Sequence, residues 1–311
     1  MKILVTGGAG FIGSHVVDAF LAEGHQVVVI DDLSTGKREQ VNPAARFYQV
    51  DIRDEENLER VLSVEKPEII AHEAARANVR ESMEKPVLYA DINVLGSLRL
   101  LELARRNGVR KVVYASTGGA IYGEAQYLPA DEQHPVLPLD PYGASKHHVE
   151  HYLYLYRKNY GLEYTILRYP NVYGPRQDPL GEAGVVAIFT GQMLSGRHPV
   201  INGSGEQERD FVYVGDVARA NVLALSRGDG EIYNIGSGVG TSVNQIFAAL
   251  KRATGYTGPE MHGPAKLGEV FKIYLDASKA RRELGWEPQV PLAEGIQRTV
   301  DYFRGRMQAE C

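Results

Sequence analysis

The chain is almost without cysteine: the only one among its 311 residues is Cys311, the last. No intrachain disulfide, cysteine-ligated metal or cysteine nucleophile within the fold can therefore be built. Long apolar runs are also missing, and none approaches the ~20 residues that span a bilayer. Met1–Gly7 is too short and too broken by glycine to read as a signal peptide. Nor is positive charge in excess. A formal net charge of −5 argues against a general nucleic-acid or membrane-surface binder. Internal repeats, low-complexity tracts and charge blocks are absent. A cytoplasmic enzyme is the expectation, with enough length for one large domain or two unequal lobes.

What is present is a strict order of apolar runs and glycine stops. Lys2–Val5 reads as a buried strand, and Gly7-Gly8-Ala9-Gly10-Phe11-Ile12-Gly13 follows at once. From Ile12 to Leu21 the apolar residues recur at helical spacing, and Gly24 stops the helix. A second strand, Val27–Ile30, runs into Asp31-Asp32. Strand, glycine loop, helix, strand and acid together suit a dinucleotide. The glycines let the backbone turn tightly and approach a pyrophosphate, whose charge rests on the helix N-terminus. The acid can bind a ribose 2′-hydroxyl and repels a 2′-phosphate.

The alternation continues with strands at Phe47–Asp51, Glu68–His72, Lys111–Ser116 and Tyr164–Arg168. Helices are expected at Glu55–Leu62, at Pro86–Asn107 and from Tyr142 to about Asn159. This pattern predicts an α/β fold of the doubly wound Rossmann type, with a parallel sheet covered on both faces. Its ligands bind beyond the carboxyl ends of the strands. After Asn171 the texture becomes richer in Gly and Pro. The expected division is a dinucleotide-binding domain over residues 1–171, with 210–236 returning to it, and a smaller C-terminal substrate lobe over 172–311. Asp216 is expected to cap a helix through Ala224, Glu231–Ile235 to rejoin the sheet, and Thr241 or Ser242 to cap a helix to Thr254.

Pro141-Tyr142-Gly143-Ala144-Ser145-Lys146 opens the helix with proline in its first turn. Tyr142 and Lys146, at i and i+4, share one face. An ammonium group beside a phenol favours the phenolate, which makes a general base usable near neutral pH. The pattern alone is common, and an exposed Tyr and Lys on a solvated helix is the bland alternative.

Several segments together resemble the extended short-chain dehydrogenase/reductase family, of the kind that modifies nucleotide sugars. They are Thr6–Gly13, Asp31–Gly36, Tyr122-Gly123, Pro141–Lys146, Asn171-Val172-Tyr173-Gly174-Pro175, Arg209-Asp210-Phe211-Val212 and Asp276–Ala280. The resemblance covers essentially the whole chain. It implies NAD as a bound prosthetic group and a 4-epimerase that interconverts UDP-glucose and UDP-galactose through a 4-keto intermediate. Another epimerase or a dehydratase acting on a UDP-N-acetylhexosamine or a dTDP-sugar is the alternative.

By the same resemblance, Gly7, Gly10, Phe11 and Ile12 line the pyrophosphate. Asp31 takes the adenosine ribose, with Asp32, Leu33, Ser34, Thr35 and Gly36 nearby. Asp51 and Ile52 border the adenine, and Ala74, Ala75, Asn93 and Ser116 lie along the cofactor. Lys146 binds the nicotinamide ribose, and Tyr169 lies close to the nicotinamide. On the substrate side, Asn171 and Arg209 hold the diphosphate, with Thr117 and Tyr142 at the sugar. Val185, Lys266 and Glu269 complete the substrate set. Tyr142, Lys146 and Thr117 form the catalytic group.

This chain departs from the family pattern in places. Ser116–Gly123 is one residue longer than usual, so the catalytic hydroxyl falls on Thr117 or, failing that, Ser116. Gly118-Gly119 stands where dehydratases of the family carry an Asp-Glu pair, which favours epimerisation over elimination. Lys266 replaces an arginine of the late substrate segment, and Gly184-Val185-Val186 stands where many 4-epimerases place an asparagine. Ile273 occupies the position that limits pocket size in the family. The histidines, including His72, His147, His148 and His151, lack metal-site spacing, so no metal is expected. Arg168 and Lys279 read as structural. Two long helices, near 87–107 and 143–159, carry apolar faces (Leu88, Ile92, Leu95 and Leu98; Val149, Leu153 and Tyr156). The resemblance implies a homodimer through this pair, while the protein's own sheet must use part of both faces.

Overall fold

The computed structural model describes residues 1–179, 184–265 and 270–309. It begins with strand β1 (Lys2–Thr6), helix α1 (Phe11–Ala22) and β2 (Gln26–Asp31), as the glycine-bounded pattern predicts. There follow β3 (Arg46–Gln49), α2 (Glu55–Glu65) and β4 (Ile69–His72). Next come the short helices α3 (Val79–Glu84) and α4 (Pro86–Tyr89), then α5 (Ser97–Arg106). β5 (Lys111–Thr117), α6 (Pro141–Tyr160) and β6 (Glu163–Tyr169) complete the first half.

In the second half, β7 (Asn171–Tyr173) leads to α7 (Val185–Leu194), β8 (Val200–Asn202), β9 (Glu208–Arg209) and β10 (Phe211–Tyr213). Then come α8 (Val214–Ala224), β11 (Glu231–Asn234), β12 (Thr241–Ser242) and α9 (Val243–Thr254). The chain closes with β13 (Met261–Gly263), β14 (Lys272–Ile273), α10 (Ser278–Glu283) and α11 (Leu292–Ala309).

Seven strands form one parallel sheet in the order β11-β6-β5-β4-β1-β2-β3. Strand order reverses between β1 and β4, and at such a switch point an open α/β sheet leaves a crevice beyond its carboxyl ends. Both faces are covered. Val16, Val17 and Phe20 of α1 pack with Val217 and Ala220 of α8 on one side. Leu58 and Leu62 of α2, Leu100 and Ala104 of α5 and Val149 and Leu153 of α6 pack on the other. The central strands therefore carry apolar residues on both faces rather than alternating.

A second cluster joins Val186 and Phe189 of α7, Ile246 and Phe247 of α9 and Ile296 and Val300 of α11. This is the smaller lobe. As expected, β11 returns to the main sheet beside β6. So does a later segment: α10 packs on β11, and Trp286 is fully buried in the core of the main sheet.

Three expectations change. The long helix over 86–107 is interrupted by a π-helical turn, Ala90–Gly96. Val149 and Leu153 of α6 are buried in the sheet's own core, so that face is not available to a partner. Asp216 lies inside the first turn of α8, and its carboxylate accepts from the Gln289 and Val290 amides, each at 3.0 Å. The cap of α8 is the extended residue Tyr213, and Asp216 instead ties α8 to the chain after Trp286. The Ser242 cap does form, as a capping box with Gln245.

Candidate active site

The loop after β1 is shaped by close backbone approach. Gly7 has φ +71°, and its amide donates to the Ile30 carbonyl at 2.8 Å. A Cβ on Gly13 would lie 2.1 Å from the Gly7 carbonyl oxygen, and one on Gly7 would lie 2.7 Å from the Ala74 nitrogen. The glycines thus let α1 start directly over the loop and let the loop meet the segment after β4. Gly10 caps α1 with no side chain, so the first-turn amides, which have no intrahelical acceptor, open onto the crevice.

Asp31 ends β2 and holds the loop together. Its two oxygens accept from the Ala9 amide at 3.0 Å and the Leu33 amide at 2.8 Å. Burial pushes its carboxyl pKa up, against these two hydrogen bonds. Gly36 packs on it, since a Cβ there would lie 2.8 Å from Asp31 Oδ1. Asp32, by contrast, is exposed and closes a local turn by accepting from the Ser34 amide at 2.9 Å. Asp51 is clamped by Arg53 at 2.6 Å, and Arg53 also reaches Asp91. Ile52 is buried beneath Gly96.

Asn93, in the π turn, braces this wall. Its amide accepts from the Arg76 amide at 2.8 Å and donates to the Arg76 carbonyl and to Ser145 Oγ, both at 2.9 Å. Ala74 is held by Thr6 Oγ1 at 3.3 Å, and Ala75 follows it, half-buried. The cradle left by Gly7, Gly10 and Gly13, backed by Asp31, fits a dinucleotide.

Helix α6 brings the tyrosine and lysine to the same crevice. Asp140, which the sequence reading passed over, caps it by accepting from the Gly143 amide at 2.8 Å, and Pro141 occupies the first turn. A Cβ on Gly143 would lie 2.6 Å from the Ala120 carbonyl, so the helix start is seated directly on the loop after β5. Tyr142 is half-buried. Lys146 is 3% exposed, and its ammonium sits 4.3 Å from the centre of the Tyr114 ring. Burial lowers its pKa to about 8, opposed by the charges of Glu73 and Glu150.

The two candidate hydroxyls diverge, as neighbours on a strand must. Ser116 Oγ donates to Glu150 at 2.6 Å. Glu150 is gripped by Arg168 at 2.9 and 2.6 Å, and Arg168 also donates to Tyr122 at 2.8 Å. These donors hold the Glu150 pKa down against burial. Ser116 is thus spent on a buried ion pair, which also confirms Arg168 as structural. Among the described residues Thr117 accepts only a weak bond, from the Ala120 amide at 3.3 Å. A Cβ on Gly119 would lie 3.9 Å from Thr117 Oγ1 and 3.6 Å from Asn171 Oδ1, so these two side chains border one space.

Asn171 begins β7, and its amide donates to the Asp210 carbonyl at 3.0 Å. Asp210 receives the Ser237, Gly238 and Leu275 amides and the Ser237 hydroxyl, which fixes the strand beside Arg209. Arg209 itself donates to the carbonyls of Glu208 and Phe271. Val185 opens α7 and is half-buried. Ile273 is buried with Ile121, Tyr122 and Leu275. Lys266 and Glu269 lie outside the described residues.

Tyr169 ends β6 level with Thr117. Its hydroxyl donates to Glu73 at 3.1 Å and accepts from Asn221 at 2.7 Å. Glu73 and Asn221 were not singled out from the sequence. Glu150 could have been, since it follows Lys146 by one helical turn on the same face.

The profile of the NAD dependent epimerase/dehydratase family matches residues 3–236. A putative UDP-glucose 4-epimerase of Methanocaldococcus jannaschii is 51% identical over 302 residues, which span 97% of this chain and 98% of that protein. The crystal structure of a UDP-glucose 4-epimerase from Thermotoga maritima, solved with UDP-glucose, is 52% identical with a TM-score of 0.97. It covers 99% of this chain and 100% of its own. The Thermus thermophilus UDP-glucose 4-epimerase, solved with NAD, is 48% identical with a TM-score of 0.94, covering 98% and 99%.

Proposed function

This chain belongs to the NAD dependent epimerase/dehydratase family, and on that premise we propose that it is a 4-epimerase interconverting UDP-glucose and UDP-galactose. The observation that carries the reading is the pair Gly118-Gly119. An elimination enzyme needs an acid here to protonate the departing C6 hydroxyl. A Cβ on Gly118 would lie 2.3 Å from Leu275 Cδ1, so that place is already filled by an apolar side chain. Gly119 places no side chain between Thr117 and Asn171, where a Cβ would meet Asn171 Oδ1 at 3.6 Å and Thr117 Oγ1 at 3.9 Å. With no acid at either position, the 4-keto sugar can only be reduced again.

NAD would be held by the backbone of Gly7 and Gly10–Ile12, by Asp31 at the adenosine ribose and by Lys146 and Tyr169 at the nicotinamide end, and would supply the hydride acceptor and donor. The protein supplies orientation and proton movement. Tyr142 takes the proton from the sugar 4-hydroxyl and returns it after reduction. Thr117 Oγ1 bonds the same oxygen and shares that proton. Lys146 keeps a positive charge behind the phenol. Asn171 and Arg209 hold the diphosphate while the sugar turns, with Val185 at the edge of that site.

A homodimer accompanies this reading. Val87 is 81% exposed, and Leu95 and Tyr154 are also exposed, so apolar side chains of the two helices concerned face outward. A cytoplasmic setting suits such substrates. No helix among the described residues is long and apolar enough to cross a membrane.

The test is incubation with UDP-galactose followed by anion-exchange chromatography. Equilibration with UDP-glucose is expected. No interconversion with NAD bound, or a dehydrated keto-sugar instead, overturns the assignment.

A further inference from the structure

Two carboxylates flank Lys146, and their circumstances differ. Glu150 is saturated by the Arg168 guanidinium and the Ser116 hydroxyl, so its charge is permanent and already balanced. Glu73, the residue after β4, has no cationic hydrogen-bond partner among the described residues. Among the described residues its one hydrogen-bond donor is the Tyr169 hydroxyl at 3.1 Å, and the Asn221 amide that approaches from α8 is spent on that same hydroxyl. Its own amide donates to the Thr6 carbonyl, which fixes where the side chain starts. Glu73 follows His72, which pairs with Tyr114 across β4 and β5, and the Lys146 ammonium sits 4.3 Å from the Tyr114 ring, so Glu73 and Lys146 come to the same end of the sheet; each acts on the other's proton affinity.

We propose that Glu73 is a positioning residue for the proton transfer: anchored by Tyr169, its carboxyl group is the adjustable counter-charge to Lys146 and thereby tunes the base Tyr142. This rests on the epimerase reading above. An ionised Glu73 partly cancels the lysine's field at the phenol. A neutral one leaves that field whole, so the tyrosine gives up its proton more readily. Burial raises the Glu73 pKa to about 7, against the opposing influence of Lys146 and the Tyr169 hydrogen bond, so both states are accessible near neutrality. Lys146, with a pKa of about 8, is still an ammonium on the acid flank, and the remaining groups packed around Glu73 are fixed in charge there. His72 stays neutral between Thr6 and Ser97, and Glu150 stays ionised against Arg168. Tyr169 remains a phenol, because burial and Glu73 raise its pKa well above the ordinary value.

The test compares Glu73→Gln, which keeps an acceptor for Tyr169 but carries no charge, with the wild type as NAD-bound holoenzyme. Phenolate absorbance is titrated without substrate, each protein being read against its own Tyr142→Phe counterpart so that only Tyr142 is seen. The midpoint is expected to fall by about half a pH unit or more in Glu73→Gln. The acid limb of the kcat/KM profile moves with it, giving about a threefold gain on the acid flank. Glu73→Asp, which restores the charge, returns both toward wild type.

Coincident titration midpoints for wild type and Glu73→Gln overturn the proposal, as does a Glu73→Asp variant indistinguishable from Glu73→Gln. If Glu73→Gln fails to retain NAD, Tyr169→Phe is read instead. Without its donor the carboxyl stays protonated to higher pH, so a smaller shift in the same direction is expected and no shift is refuting. Because the titration needs no substrate, a wild type that fails to epimerise sinks the functional reading without touching this one.

Discussion

Removing the two hydroxyls at the end of β5 separates chemistry from stability. Thr117→Val keeps the shape and loses the hydroxyl, whose one partner among the described residues is the Ala120 amide at 3.3 Å. A bond that long and neutral is worth at most about 1 kcal/mol, so the fold should barely notice. Turnover should fall by about 10²–10³-fold, the usual effect of deleting a donor aimed at a developing oxyanion. Ser116→Ala does the reverse. It takes from the buried Glu150 carboxylate a donor at 2.6 Å while leaving both Arg168 bonds in place. Hydrogen bonds to a charged group contribute about 1.5–3 kcal/mol, which lowers the melting temperature by several degrees. Turnover at 25 °C should stay within a few-fold. The assays are kcat for UDP-galactose conversion and thermal unfolding followed by circular dichroism, on both variants. A Ser116→Ala enzyme that loses 10²-fold or more with an unchanged melting temperature, beside a near-native Thr117→Val, would refute the assignment of the hydroxyl.

Two further outcomes follow from contacts elsewhere. His72 is buried between Thr6 and Ser97, and burial lowers its pKa to about 3, below the unfolded value of 6.5. As pH falls below 6.5 the unfolded chain takes up a proton that the folded chain refuses, so stability present above 6.5 is lost at up to about 1.4 kcal/mol per pH unit. Urea unfolding between pH 7.5 and 5 should show this slope, and His72→Gln should flatten it; parallel slopes in the two proteins count against the argument. The loop after Asp31 is also clasped to the loop after β7, through Lys37 with Asp178 at 3.5 Å and Gln40 with the Arg176 carbonyl at 3.2 Å. Exposed contacts of this kind contribute up to about 1 kcal/mol each, so joint Lys37→Ala and Gln40→Ala substitution should speed NAD release, by up to about thirtyfold, read by exchange with a fluorescent analogue. An unchanged release rate would mean the clasp does not gate the cofactor.

Legibility in the sequence followed the distance over which each signal acts. The strand, glycine loop, helix and acid of residues 2–31 could be read because their turn glycines, helical spacing and closing acid all lie within one short stretch, even though the loop also meets Ala74 and α1 packs on α8. The start of α6 was legible for the same reason, with Pro141 and the i, i+4 pair inside one helical turn. The π turn was not, because the apolar positions Leu88, Ile92 and Leu95 fit an α-helix almost as well as the observed path. Asp216 misled because a carboxylate in a first helical turn resembles a cap. Its actual donors, Gln289 and Val290, are supplied by a segment far along the chain. Glu73 was invisible for a related reason: one acid after an apolar strand reads as a solvent-facing residue until β6 and α8 close over it.

The π turn then explains how a helix N-terminus can serve as a fixed catalytic platform. Helix ends fray, and a base on the first turn would ordinarily move with the fraying. Here the first turn is tied down from independent directions. Asp140 caps it, and Gly143 lets it touch the Ala120 carbonyl. Ser145 Oγ donates to the Tyr142 carbonyl at 2.7 Å while receiving the Asn93 amide at 2.9 Å. That amide also grips both backbone groups of Arg76. A π turn carries an extra residue relative to an α turn, so it shifts the angular phase of what it bears. In this protein the shifted residue is Asn93, and the side chain so delivered bonds the cofactor-side wall and the Tyr142 turn at once. Rigidity of the base is thus obtained at the expense of one irregular turn in a neighbouring helix. The irregularity falls where α6 and the crevice meet, as expected if positioning rather than packing set its place.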